Sequence, residues 1–136
     1  MHIRTKTPYT VVKPASIWYT PFPMTFDYRA ELNDEQYEAA TTIDGPVLII
    51  AGAGSGKTRV ITFRIAYMLD KSIPQSQILA LTFTNKAARE MSQRVKELTG
   101  KKLQMLTVST FHAFGVRILR EDIQRLGWRE NFSIYD

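Results

Sequence analysis

Val47-Leu48-Ile49-Ile50 runs directly into Ala51-Gly52-Ala53-Gly54-Ser55-Gly56-Lys57-Thr58. This pairing constrains the fold more than any other stretch. The first four residues are apolar and β-favouring, follow Gly45-Pro46, and read as a buried parallel strand. Helical spacing then begins at Lys57 and carries Val60, Ile61, Ile65, Met68 and Leu69 towards Lys71, before Pro74 closes the connection. Between strand and helix lies a loop of small residues. Small residues let the backbone curl tightly and turn successive N–H groups toward one anion. The helix that follows adds unpaired N–H donors and the positive end of its dipole. Lys57 is placed to reach β- and γ-phosphates, and Thr58 to offer a hydroxyl to Mg²⁺. The pattern usually opens with glycine, and this chain has Ala51 there. The alternative is a glycine-rich strand-to-helix turn with no ligand, and Gly56-Lys57-Thr58 in this setting argues against it.

The same alternation continues downstream. Ile78 to Phe83 reads as a second buried strand and Asn85 to Leu98 as a second helix, with Asn85 placed to cap it and Gly100 just past its end. Met105 to Ser109 reads as a third strand, Thr110 to Leu126 as a third helix ended by Gly127, and Phe132 to Tyr135 as the start of a fourth strand. Upstream, Asn33 followed by Gln36 has the form of a capping box. Strands alternating with helices predict an α/β chain with a mostly parallel sheet covered on both faces. Residues 1–30 differ: they hold Pro8, Pro14, Pro21 and Pro23, four of the six prolines, and aromatics without period. They read as an irregular arm, with Met24 as an alternative natural start.

Composition narrows the class. With 44% hydrophobic residues in a chain of 136, a real core is available. Cys is 0, which excludes disulfides and thiolate metal sites, and no apolar run reaches the roughly 20 residues of a membrane span. The expectation is a soluble, cytoplasmic chain with no membrane partner. Eighteen basic against thirteen acidic residues give a net charge of +5, which suits a polyanionic partner and equally suits a slightly basic soluble protein.

A triphosphate loop alone does not separate kinase, GTPase, transporter and helicase. Four ordered stretches do. Leu32-Asn33-Asp34-Glu35-Gln36, Ala51–Thr58 with Arg59-Val60, Thr82–Ala88 and Val108–Phe114 resemble the adenine-reading Q motif and motifs I, Ia and Ib of the superfamily I DNA helicases of the UvrD/Rep type. The resemblance runs from about Leu32 to Asp136. It implies a P-loop NTPase fold, RecA-like, with a parallel sheet, helices on both faces, and strands left incomplete. Residues 31–136 would be the N-terminal part of the first motor domain, the UvrD-like helicase ATP-binding domain.

The implied roles follow residue by residue. Gln36, Ala51, Gly52, Ala53, Gly54, Ser55, Gly56, Lys57, Thr58 and Arg59 would bind ATP, with Lys57 and Thr58 as the catalytic pair and Thr58 the Mg²⁺ contact. Gln36 would read the adenine edge, or only complete its capping box. Arg59 would stack its guanidinium on the base; a plain solvated arginine is a poor fit to a first helical turn. Phe83, Thr84, Asn85, Thr110, Phe111 and His112 would contact single-stranded DNA at strand ends. For Phe83 the alternative is a core residue, and for Asn85 a plain N-cap. His112 is assigned DNA contact or local bracing, with no acid–base role. The family often has serine where this chain has Ala113. Arg89, Arg94, Lys96, Lys101 and Lys102 read as mostly solvated charge.

Hydrolysis needs carboxylates at a strand end and arginines near the transferring phosphate. Glu121-Asp122 lies in an amphipathic stretch, Asp34-Glu35 precedes the loop, and Asp136 imitates a magnesium-binding aspartate only weakly. The expectation is therefore the ATP-binding part of an ATP-dependent helicase that needs the remainder, including a second RecA-like domain, for activity. The rivals are a truncated ATP- and DNA-binding module without turnover, and another phosphate-loop enzyme such as a kinase.

Overall fold

The computed structural model describes residues 2–5 and 26–134. Strand β1 spans His2–Thr5 and helix α1 Tyr28–Glu31. Helix α2 covers Asp34–Thr41, strand β2 Val47–Ile50 and helix α3 Lys57–Asp70. Strand β3 (Leu79–Thr82), helix α4 (Asn85–Thr99), strand β4 (Thr107–Thr110) and helix α5 (Phe111–Asp122) complete the alternation.

Helix α3 is the central element because its sequence carries two apolar stripes. Val60, Phe63 and Ala66 pack with Tyr28, Leu32, Ala39 and Ala40 from α1, α2 and the turn between them. Ile65 and Leu69 face the other way, joining Ile78, Ala80, Met91 and Val95 from β3, α4 and the residue before β3. A helix with apolar residues on two sides belongs between layers rather than on a surface. Arg64 also ties α3 to α2: its guanidinium donates to the carbonyls of Ala39 and Thr42 at the end of α2. Burial lowers its pKa from the usual arginine value.

Strands β3 and β4 pair in parallel, Leu79 opposite Thr107 and Thr82 opposite Thr110. Strand β2 differs from its expected place. It pairs antiparallel with β1, His2 opposite Ile50 and Thr5 opposite Val47, and is not hydrogen-bonded to β3 or β4. An apolar run specifies a strand but not its neighbour, since any extended segment can satisfy its N–H and C=O groups. The expected burial on both faces also needs correction. Ile49 packs against the first cluster, whereas Leu48 and Ile50 are each 58% exposed and Leu79 is 47% exposed. Ile49, Ala80 and Val108 pack with residues of α3 and α4, while Leu48, Ile50 and Leu79 stay exposed.

Other boundaries moved for local reasons. Within the expected irregular arm, His2–Thr5 is a strand, and Phe26 and Tyr28 belong to the first core cluster. Residues 6–25, Tyr135 and Asp136 lie outside the described residues, and so do Met24 and the aspartate considered for magnesium. No strand forms over 132–134. The third helix stops as an α-helix at Asp122, passes through a 3₁₀ turn over Ile123–Leu126, and ends at Gly127 in the left-handed region.

Candidate functional site

The loop from Ala51 to Gly56 leaves β2 at its C-terminal end and enters α3. Gly54 and Gly56 have φ of 75° and 85°, in the left-handed region that glycine tolerates without Cβ strain. Ser55 closes the curl, its hydroxyl donating to the Gly52 carbonyl at 2.7 Å. The Lys57 ammonium folds back over the loop and donates to the carbonyls of Ala51 (3.0 Å) and Gly52 (2.6 Å). Thr58 is exposed in the first turn of α3, and its carbonyl accepts from the Thr62 hydroxyl.

Gln36 reaches this loop from α2. Its Oε1 accepts from the Asn33 N–H at 3.3 Å while Asn33 Oδ1 accepts from the Gln36 N–H, which is the expected capping box. Its Nε2 donates to the Ser55 carbonyl at 3.1 Å. One side chain thus serves both the helix cap and the loop.

Arg59 lies in the first turn of α3, with Nη2 donating to the Glu31 carboxylate at 2.6 Å and to the Glu31 carbonyl at 2.7 Å. Its guanidinium carbon stands 5.0 Å from the Phe63 ring centre. Neither Glu31 nor Phe63 was singled out by sequence reasoning. Glu31 is 28 positions from Arg59, and no local spacing signals a pair that distant.

The second group gathers at the ends of the parallel pair. In-register pairing of Thr82 with Thr110 brings the next residues, Phe83 and Phe111, level with each other. Their ring centres are 5.6 Å apart at 45°. Phe83 is 87% exposed and is not a core residue; Phe111 is 52% exposed. Thr84 caps α4 through a bond from the Ala87 N–H, and Thr110 caps α5 through one from the Ala113 N–H. The cap of α4 is therefore Thr84, not Asn85: threonine one residue earlier has the extended backbone that an N-cap requires. Asn85, Thr110, Phe111 and His112 line one open cleft of about 780 Å³ together with Val116 and Ile134.

Of the five cations read as solvated, Lys101 is otherwise engaged. Its ammonium meets the Leu69 carbonyl (3.1 Å) at the end of α3 and Asp70 (3.4 Å). Among the described residues no group of three His, Cys, Asp or Glu side chains is placed to hold a metal ion, and no helix is long and apolar enough to cross a membrane.

The sequence model of the UvrD/REP helicase N-terminal domain matches residues 32–136. The chain belongs to this family. Within it, the chain is 58% identical over 106 residues to a protein of Staphylococcus epidermidis named ATP-dependent DNA helicase PcrA. It is 57% identical over the same length to proteins of that name from two Staphylococcus aureus strains, Mu50 and NCTC 8325. Each match covers 77% of this chain and 14% of the relative, so the chain spans about one-seventh of the length of these relatives.

Proposed function

We propose that this chain is the ATP-binding part of an ATP-dependent DNA helicase that translocates on single-stranded DNA, with residues 31–136 as the N-terminal part of its first RecA-like motor domain. The observation that carries the reading is the exposed Phe83–Phe111 pair at the ends of in-register strands, in a chain that also carries a phosphate loop. Two solvent-facing rings offer a sequence-tolerant stacking platform for bases, and the adjacent N-termini of α4 and α5 suit backbone phosphates.

At the loop, the N–H groups of Gly52 to Thr58 would surround the phosphates. Lys57 would leave the Ala51 and Gly52 carbonyls for the more strongly attracting phosphate oxygens. Thr58, a single neutral oxygen donor, fits a Mg²⁺ already carried by phosphate oxygens and water rather than a bare ion. That ion would neutralise developing charge on the phosphates. Gln36, already seated on the loop, would meet the adenine edge, and Arg59 would stack on the base.

A second reading has its own support: ATP binding without efficient turnover by this chain alone. The residues that follow β2, β3 and β4 are Ala51, Phe83 and Phe111, and none is a carboxylate. Glu121-Asp122 ends a helix, and Asp122 pairs with Arg125 at 2.9 Å. Turnover would then require the remainder of the helicase.

Equilibrium binding separates the parts of the proposal. Lys57→Ala is expected to weaken ATP binding at least about tenfold, as expected for loss of a charge-assisted contact to phosphate. Phe83→Ala with Phe111→Ala is expected to weaken single-stranded DNA binding by about tenfold or more while leaving ATP affinity unchanged. Unaltered DNA affinity in the double variant would remove the reading of this face as a track for single-stranded DNA. Phosphate release stimulated by single-stranded DNA from the 136-residue chain itself would exclude the second reading.

A further inference from the structure

We infer that Glu31 is a positioning residue for the nucleotide base, acting through Arg59; the inference rests on the reading of Arg59 as the base contact. An arginine side chain has several soft torsions, and fixing it on a ligand costs rotamer entropy. Here that freedom is removed beforehand. One edge of the guanidinium is held twice by Glu31, through carboxylate Oε2 at 2.6 Å and the main-chain carbonyl at 2.7 Å. The plane rests near the Phe63 ring, itself 5% exposed and anchored in the core. The Arg59 side chain nevertheless keeps 45% of its surface exposed, so a flat base has a flat cation to stack on.

The charges are arranged to match. Arg59 sits in the first turn of α3, where the helix dipole disfavours a cation, and Glu31 is the last residue of α1. The Glu31 carboxylate offsets the poor placement of Arg59. Because the support of Arg59 comes from α1, the base contact depends on the short segment ahead of Gln36 as well as on the loop. Pre-organisation of this kind raises affinity by removing ordering cost rather than by adding a contact to the ligand.

Titration calorimetry on the full chain tests this with two probes, ATP and inorganic tripolyphosphate, which has no base. Glu31→Gln is expected to weaken ATP about fivefold, the upper range for a partly exposed ion pair, and to leave tripolyphosphate binding unchanged. Glu31→Asp is expected to recover part of the ATP loss. Glu31→Gln added to Arg59→Ala is expected to cost nothing beyond Arg59→Ala alone. Equal weakening of both probes would make Glu31 merely structural, and tighter binding of both would make it a repulsive charge near the phosphates; either overturns the inference. If Arg59→Ala weakens ATP and Glu31→Gln does not, the positioning role fails alone. If Arg59→Ala leaves ATP binding intact, the base reading fails and this inference with it.

Discussion

At the scale of single residues, Gly56 shows how a motif position acquires a tertiary reason. Its φ of 85° already disfavours any side chain. A Cβ there would also stand 2.8 Å from Gln36 Nε2, the donor to the Ser55 carbonyl. Gly54 has a similar φ of 75° but open space around it. Gly56→Ala should therefore cost more than Gly54→Ala. The backbone term is about 1 kcal/mol for each, and the Gln36 clash is added only at Gly56. Urea unfolding midpoints of the two variants make the comparison, and equal losses would show that Gln36 yields freely. The need for small residues in the loop is legible in the sequence. The reason for this particular glycine is not, because Gln36 reaches it only once α2 has folded against α3.

At the scale of elements, helix ends follow local signals and strand partners do not. The capping box at Asn33, the glycine end at Gly100 and the start of α3 at Lys57 all depend on residues within a few positions, and local chemistry sets them. The cap of α4 was displaced by one residue because Thr84 and Asn85 are both good capping types, and the extended backbone at Thr84 decides between them. Thr84→Ala should cost about 1 kcal/mol of stability and Asn85→Ala much less. Thermal unfolding of the two variants reads the difference, and the reverse order would return the cap to Asn85. Strand β2 was identified by its apolar run, yet its pairing with β1 lies far outside that run and left no local signal.

Across the whole molecule, one partly buried polar link joins three segments. The Tyr28 hydroxyl donates to Asp70 at 2.5 Å, and Lys101 meets the same carboxylate at 3.4 Å. Tyr28 is 1% exposed, and its ring meets Phe63 and Tyr67 edge to face. Burial first, and the bond to Asp70 second, push the Tyr28 phenol well above its usual range. A raised folded-state pKa gives stability that is complete below the unfolded value of about 10 and is lost as pH rises past it, because the unfolded chain releases that proton more readily. Tyr28→Phe should cost about 1.5–3 kcal/mol near neutral pH through the lost bond to a charged group. It should also flatten the decline in stability above about pH 10. Denaturant titrations at several alkaline pH values would show an unchanged decline if Tyr28 were not its source. The open face carrying Leu48 and Ile50 makes a separate prediction. Replacing both with threonine keeps β propensity, removes exposed apolar area, and should reduce binding of a hydrophobic dye while shifting stability by less than about 1 kcal/mol. Undiminished dye binding would place the exposed surface elsewhere.

From the sequence alone came the alternation of strands and helices, the small-residue loop with its lysine and threonine, most of the helix ends and the family resemblance. Each rests on residues adjacent in the chain or on a fixed period. The tertiary structure decided what those elements meet: β2 against β1, Lys57 on its own loop, Gln36 on Ser55, Arg59 in the grasp of Glu31, and Phe83 beside Phe111. Such contacts join residues that can be tens of positions apart. Their energies depend on distance and burial in three dimensions, which no periodicity along the chain encodes.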